Sequence, residues 1–466
     1  MVASLGMSIM LSMDEPFMAL IIPIAFILAV LLLGNGQLSL FIVILTLPVL
    51  ATGILGTNVL PVPGAKASNF ILIVALVGFL INEKLKISDV KPAVIFYAGS
   101  MILLLVSALR SDHVATYSME FWNESYTPAK FFISHGIIQA LRSVPFIMIV
   151  ASVRSREEVY QLAKYLAVSM VLLSLTILGV YYVQVPPGTD FQDIRTMIGE
   201  YLGMHGNNLA DFLIVGFPFL LSLSLDKKNP HRKWLYAAVV LVLGATAITY
   251  SRAAYFLIIL SFLGVMFMTK KFKLLIPMII VALLISLFMP TVMERAVTGF
   301  DTRDADDFTA GRTDMIWDSI IKDLRLEWEV APERVIFGYG RYGMLDLRDF
   351  KNNRMITTTQ AHNMYLDIIV NSGILGLLFY LSFFFYIIGK LTVAFFSPRI
   401  RKSEQNIYLI TGLLVSIIGF LIRGFTDSFF SPQLSNAYLY IVVAIAFVTL
   451  SRNGPLEENE KLSDNE

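Results

Sequence analysis

Residues 209–273 read LADFLIVGFPFLLSLSLDKKNPHRKWLYAAVVLVLGATAITYSRAAYFLIILSFLGVMFMTKKFK. The stretch holds three apolar runs, 209–225, 234–250 and 253–269. Each reaches the ~17–25 residues with which an α-helix crosses a bilayer. Lys227, Lys228, Arg232 and Lys233 separate the first two runs, and Lys270, Lys271 and Lys273 close the third. Between the second and third there is almost no loop, only TYSRAAY at 249–255. Outward from this hairpin, a span-length window finds about thirteen such segments. The others lie near 17–33, 38–56, 67–82, 90–108, 131–151, 160–183, 274–290, 364–389, 405–423 and 435–451. Strands of an outer-membrane barrel would be ~10 residues long with alternating polarity, and that pattern is missing. The sequence therefore predicts an all-α, polytopic helical membrane protein with about 12–14 transmembrane helices and one large external loop.

Composition agrees. Of the 466 residues, 56% are hydrophobic and 15% charged, with mean hydropathy +0.70. A soluble domain carries roughly 25% charged residues. A soluble enzyme, a disordered chain and a nucleic-acid binder with a basic face are excluded. With no cysteine, disulfides, thiolate zinc sites and cysteine nucleophiles are excluded too.

The net charge of +1 says little, but the positions of the charges say more. Basic clusters at Lys84/Lys86/Lys91, Arg154/Arg156, Lys227–Lys233, Lys270–Lys273 and Lys390–Lys402 alternate with sparsely basic connections. The positive-inside trend puts all five on the cytoplasmic side and turns 109–130, 184–208 and 291–363 outward. No basic residue precedes Lys66, so the first segments carry no orienting charge and no signal-peptide n-region. Three spans before Lys84 would put the N-terminus outside, whereas an inside N-terminus needs one segment to be interfacial. The resulting division is a bundle over 1–290, a large loop over 291–363, C-terminal spans over 364–451 and a disordered cytoplasmic tail over 452–466.

The 291–363 loop holds thirteen acidic and ten basic side chains, eight of them arginines. It is large enough for a small folded lid, with an amphipathic helix near Met315–Leu326 that sets Ile316, Trp317, Ile320 and Ile321 on one side. Its Gly338, Gly340 and Gly343 spell GxGxxG, but no dinucleotide-binding unit surrounds them. A flexible, backbone-exposing turn is the expectation there.

Charges inside spans default to functional hypotheses because hydrocarbon makes them costly. Arg142 lies mid-segment with His135 and Gln139 on the same face. Either this stripe lines a cavity for an anionic ligand, or Arg142 pairs with Asp367 or Asp211. Arg423 and Asp427, spaced i,i+4, read as a local structural pair. Arg252 sits on the sparsely basic side, where it either binds an anion through its planar fork or snorkels to headgroups. His362, at the boundary of loop and span, is either a base working near neutral pH or merely interfacial. No metal-ligand spacing stands near it.

Taken together, the Ser-Arg at 251–252, AGRTDMIWDS at 310–319, FGYGRYG at 337–343 and AHNMYLDIIVNSGILG at 361–376 resemble the O-antigen ligase/O-antigen polymerase superfamily. HGNNLADFL at 205–213 resembles the same family's asparagine-containing motif. The resemblance implies a bacterial inner-membrane or plasma-membrane glycosyltransferase whose large loop is extracytoplasmic. It implies transfer of a glycan from undecaprenyl diphosphate to an acceptor hydroxyl on a glycan or lipid, without cofactor, metal or nucleic acid. Arg252 and Arg312 would hold the diphosphate and His362 would engage the acceptor hydroxyl. Tyr339, Arg341, Asn363, Asn207 and Asn208 would support the substrates, joined by Arg142 on its intramembrane position alone. Ligase and polymerase are not separable on these residues. The rivals are a transporter or flippase of lipid-linked oligosaccharide, and a membrane partner without activity.

Overall fold

The computed structural model describes residues 27–51, 67–82, 91–111, 113, 114, 117, 125–288, 290–297, 312–352, 358–428, 437–451 and 456. Helices α1 (Gly36–Ala51), α2 (Ala67–Asn82) and α3 (Lys91–Leu109) precede α4 (Pro128–Ser152) and α5 (Arg156–Gln184). Next come α6 (Phe191–Leu202), α7 (Gly206–Ser224), α8 (Arg232–Ile248), α9 (Arg252–Thr269), α10 (Leu275–Phe288) and α11 (Pro290–Val297). The loop contributes α12 (Asp318–Val330), α13 (Pro332–Phe337) and α14 (Arg348–Asn352), and the chain returns through α15 (Met364–Phe396), α16 (Glu404–Arg423) and α17 (Ala437–Thr449). Seven helices, α3, α4, α5, α7, α9, α15 and α16, are long and apolar enough to cross a membrane, and α1, α2, α10 and α17 hold shorter apolar stretches. Each predicted segment from 38–56 onward coincides with a helix, and no strand occurs among the described residues. Of the first segment, 17–33, residues 27–33 are described and helical and the rest lie outside the described residues, as does the 452–466 tail except Leu456.

The bundle is built around α7. Every residue of α7 except Asn207 and Asn208 is buried. Lipid is as apolar as leucine, so hydrophobicity does not draw helices together inside a membrane, and close packing and interhelical hydrogen bonds must do it. Both are present. Gly412 of α16 lies where a Cβ would come 3.0 Å from the Phe219 Cα, and Ser222 Oγ donates to the Tyr408 carbonyl at 2.6 Å. On α5, Ser169 Oγ donates to the Ile44 carbonyl at 2.7 Å and meets Tyr438 Oη at 2.6 Å. Apolar side chains such as Phe256, Ile259 and Phe267 of α9 stay on the outside, where a bilayer would receive them.

Two helices are interrupted, for different reasons. α4 contains a π-helical stretch, Phe132–Ile137, and breaks at Arg142–Ser143. Pro145 follows the break and has no N–H to continue the ladder. Ser143 Oγ takes up the Ala140 carbonyl (2.7 Å) and meets the Tyr97 hydroxyl (2.8 Å). α15 departs from helical geometry at Gly373, with φ +74°. There the Gly338–Gly343 turn inserts its backbone: Tyr339 N donates to the Val370 carbonyl (2.8 Å), Gly340 N to the Asn371 carbonyl (3.2 Å) and Gly343 N to Asn371 Oδ1 (3.1 Å). The turn is not the flexible, backbone-exposing feature the sequence suggests, because Gly338 to Arg341 are all buried. Behind it, Ile320, Tyr339, Met344, Leu347, Phe350 and Ala361 close a small core against Val370 of α15. Within the expected amphipathic helix, Ile320 is buried and Ile316 packs on this core, whereas Ile321 is exposed.

A Cβ at Gly373 would sit 2.0 Å from the Ile336 carbonyl oxygen, whereas one at Gly389 of the same helix meets nothing within 4 Å. Gly373→Ala is therefore expected to destabilise the protein by more than ~1 kcal/mol, because the residue must leave a conformation closed to it. Gly389→Ala should be neutral or stabilising by up to ~1 kcal/mol through helix propensity. Thermal unfolding of the two purified variants in detergent compares them; equal melting temperatures would remove the kink from its structural role.

Candidate functional site

The α6–α7 and α8–α9 connections, residues 358–363 ahead of α15 and the residues after α16 come together at one end of the bundle. His362 is fixed there by its neighbours. Its φ of +50° lies in the left-handed region, a state that costs a non-glycine residue ~1–3 kcal/mol and persists only when its surroundings impose it. Ala361 N donates to Asp367 Oδ1 (2.9 Å), and Trp317 Nε1 donates to the Ala361 carbonyl (2.8 Å). Asn363 caps α15, accepting from Tyr365 N (3.0 Å) and Leu366 N (3.2 Å), and Met364 N donates to the Gly424 carbonyl (2.7 Å). The His362 ring is partly open, with Nδ1 3.8 Å from Asp427 Oδ1.

Behind His362 runs a buried ionic chain. Arg423 donates through Nε to Asp211 Oδ1 (2.7 Å), through Nη2 to Asp427 Oδ2 (2.7 Å) and through Nη1 to Thr426 Oγ1 (2.6 Å). The Arg423–Asp427 pair is thus local as read from sequence, but it also ties α7 to His362. Burial alone would raise the Asp427 carboxyl. The Arg423 guanidinium, with His362 beside it, outweighs that and holds the carboxyl below the usual carboxylate range. The ion pairs considered for Arg142 are not the ones that form: Asp211 holds Arg423, and Asp367 accepts from Ala361.

Four arginines stand in front of this chain. Arg312, just ahead of the π-turn Thr313–Trp317, donates through Nη1 to the Thr426 carbonyl at 2.8 Å. Its charge is felt together with those of Asp427, Arg423, Arg252 and Arg195. Arg295 of α11 lies within the fields of Arg252 and Arg195 and rests its guanidinium 5.0 Å from the Phe191 ring centroid. Burial and these like charges lower Arg295 to about 10, and burial lowers Arg195 and Arg312 as well. A guanidinium lowered to about 10 is still protonated at neutral pH, so the basin is cationic.

Arg195 Nη2 also donates to Asn207 Oδ1 (3.2 Å), and His205 Nδ1 accepts from Asn207 N (3.2 Å), which leaves the imidazole proton on Nε2. Burial, then Arg195, lowers His205 from its ordinary value near 6.5, so it is neutral at neutral pH. Such a set, with fork-shaped cations, a neutral imidazole N–H and a second histidine backed by a carboxylate, can hold a multiply charged oxyanion beside a proton acceptor.

The structure therefore brings Arg252, Arg312, His362 and Asn207 together. Asn363 adjoins them, with its side-chain oxygen committed to the cap. Asn208, next along α7, is one of the two residues there that are not buried. Tyr339 belongs to the loop core, with Arg334 5.9 Å from its ring centroid. Arg142 and Arg341 form a separate group with His135 and Tyr342. Sequence reasoning missed Arg195, Arg295 and His205. Arg195 lies on α6, whose apolar residues Ile194, Ile198 and Leu202 are buried, and that i, i+4, i+8 spacing was the available signal. Among the described residues, no three His, Asp or Glu side chains cluster as metal ligands.

Residues 237–381 match a family model described as O-Antigen ligase, which supports the resemblance seen in the motifs. The match spans just under a third of the chain and contains Arg252, Arg295, Arg312, Tyr339, Arg341, His362 and Asn363. No match among curated proteins was found.

Asp427→Asn removes one carboxylate of a buried ionic set and is expected to cost about 3 kcal/mol. The native carboxyl is depressed, so its stabilisation is present above the unfolded value near 4 and lost only as pH falls through the native one. The wild-type advantage in chemical or thermal unfolding should thus stay flat from pH 5 to 8 and shrink below about pH 4. A difference that grows on acidification would contradict the assignment.

Proposed function

We propose that the chain is a membrane glycan transferase of the O-antigen ligase/polymerase type, using a polyprenyl diphosphate, of the undecaprenyl class, as donor. The observation that carries this reading is the gathering of Arg195, Arg252, Arg295 and Arg312 in front of His362. The 291–363 loop acts on the extracytoplasmic side of a bacterial inner or plasma membrane, between the 1–290 bundle and the 364–451 spans. The acceptor is a glycan or lipid hydroxyl.

In the proposed step the acceptor oxygen bonds to the anomeric carbon while that carbon's bond to the diphosphate oxygen breaks. The bonding electrons leave with the diphosphate. The arginines neutralise the charge that grows on it, and guanidinium forks match phosphate oxygens in a bidentate way. His362, with Nδ1 turned to Asp427, offers Nε2 to the acceptor proton. Once His362 is protonated, the carboxylate stabilises the imidazolium. His205 Nε2–H is a further donor toward the diphosphate, and Asn207 and Asn208 contact sugar or diphosphate.

A transporter of lipid-linked oligosaccharide is the second reading, and the break of α4 at Arg142 favours it, since transporters use interrupted helices for their binding sites. The two readings differ in where the intermediate collects. Cells carrying His362→Ala should lose glycan transfer by ~10²–10⁴-fold, and Arg312→Ala by about 10²-fold, with the protein still inserted. Leaflet-resolved labelling should find the lipid-linked glycan outside and unjoined. Accumulation on the cytoplasmic leaflet would favour the transporter, and normal transfer by both variants would sink the catalytic assignment.

A further inference from the structure

The functional reading leaves the α4 group unused, and its composition is that of a binding site. Arg142 Nη1 donates to Gln139 Oε1 at 2.8 Å. The charges of Arg142 and Arg341 act on each other and on His135. Arg341 comes from the Gly338–Gly343 turn, where its N–H donates to the Ser107 carbonyl (2.8 Å) and its guanidinium lies 5.0 Å from the Tyr342 ring centroid. His135 Nδ1 meets the Tyr342 hydroxyl at 3.3 Å, and its ring stacks on Phe131 with centroids 4.6 Å apart.

Arg142 of α4 and Arg341 of the loop turn stand in each other's field, where like charges repel, and both acids that the sequence offers Arg142 are engaged elsewhere. The break at Arg142–Ser143 and the π-helical stretch at His135 re-aim these side chains, as such irregularities do at sites. Tyr342 itself stands at φ +59°. Phe131, on which His135 stacks, also lines a cavity of about 200 Å³ with Ala108, Leu109 and Phe132.

We infer that Arg142 and Arg341, with Gln139, His135 and Tyr342, form a second oxyanion site, separate from the basin at His362. It takes a single phosphate or carboxylate group, carried by a sugar of the glycan or by a lipid headgroup. The turn bearing Arg341 bonds α15 at Val370 and Asn371, ~12 Å along the helix from Asn363 at 1.5 Å per residue. A charge on the same glycan, some way from the reacting carbon, would therefore be held while His362 works. Only that assignment to the glycan rests on the transferase reading; the site itself does not.

The test uses the full chain in phosphatidylcholine nanodiscs, with phenylglyoxal labelling of arginines read by mass spectrometry. Inorganic phosphate at millimolar concentration should slow labelling of Arg142 and Arg341 by about tenfold relative to chloride, the effect of one charge-assisted hydrogen bond. Equal labelling with and without phosphate, or none in either case, overturns the site. In Arg142→Gln, Arg341 should lose its protection while Arg252 and Arg312 keep theirs, and protection retained at Arg341 also overturns it. If instead Arg252 and Arg312 are unprotected while Arg142 is protected, the basin reading fails and this one stands. Two further arms identify the source, and a positive result in either supports the site. Protection by glucose 6-phosphate assigns a sugar substituent, and protection in phosphatidylglycerol discs without added phosphate assigns a headgroup.

Discussion

Arg423 held between Asp211 and Asp427 is the constraint on which the rest of the site depends. Its three hydrogen bonds join the middle helix of the bundle, α7, to the residues after α16, and through Asp427 to His362. Taking these ions out of water costs several kcal/mol each, so the set is poor as a source of stability and demanding in geometry. What it gives is a fixed position. Asp427, its carboxyl held low by Arg423, faces Arg312 and His362 and so sets a carboxylate beside a cation and an imidazole.

Trp317 and Arg312 complete the arrangement from the loop side. The indole N–H takes the carbonyl before His362, and the guanidinium takes the carbonyl before Asp427. A Gly-Arg segment and a tryptophan five residues later thus clamp both sides of the histidine–carboxylate pair. The spacing within 310–319 has a structural reason as well as a chemical one. Arg312 serves both, since Nη1 holds backbone while its charge joins those of Arg252 and Arg195.

Much of this is legible in the sequence. Span lengths come from hydrocarbon thickness, a constraint that acts on each helix alone, and the predicted segments match helices for that reason. Arg252 and His362 are legible as rare polar residues at helix ends, and Arg312 only through the motif that carries the family resemblance. What the sequence hides is anything that depends on which helices touch. Asp211 could be read as a partner for Arg142 as easily as for Arg423, since periodicity says which residues share a face but not which helix that face meets. Arg195 and Arg295 sit on short amphipathic helices whose charges look like ordinary solvated faces until the fold turns them toward one point. The Gly-Tyr-Gly turn looks exposed because glycine in a loop suggests freedom, whereas here it permits close approach of two backbones.

The seating of that turn at Gly373 sets how the large loop is carried. The loop is fastened at its middle, against the interrupted turn of α15, as well as at its two chain ends. Its small core and the first nine residues of α15 therefore form one block, continuous with a helix of the bundle. Mechanically this is a bracket rather than a hinged flap. Changes in the length of the chain leading into it alter the tether, while the height of His362 above the bundle is set by α15.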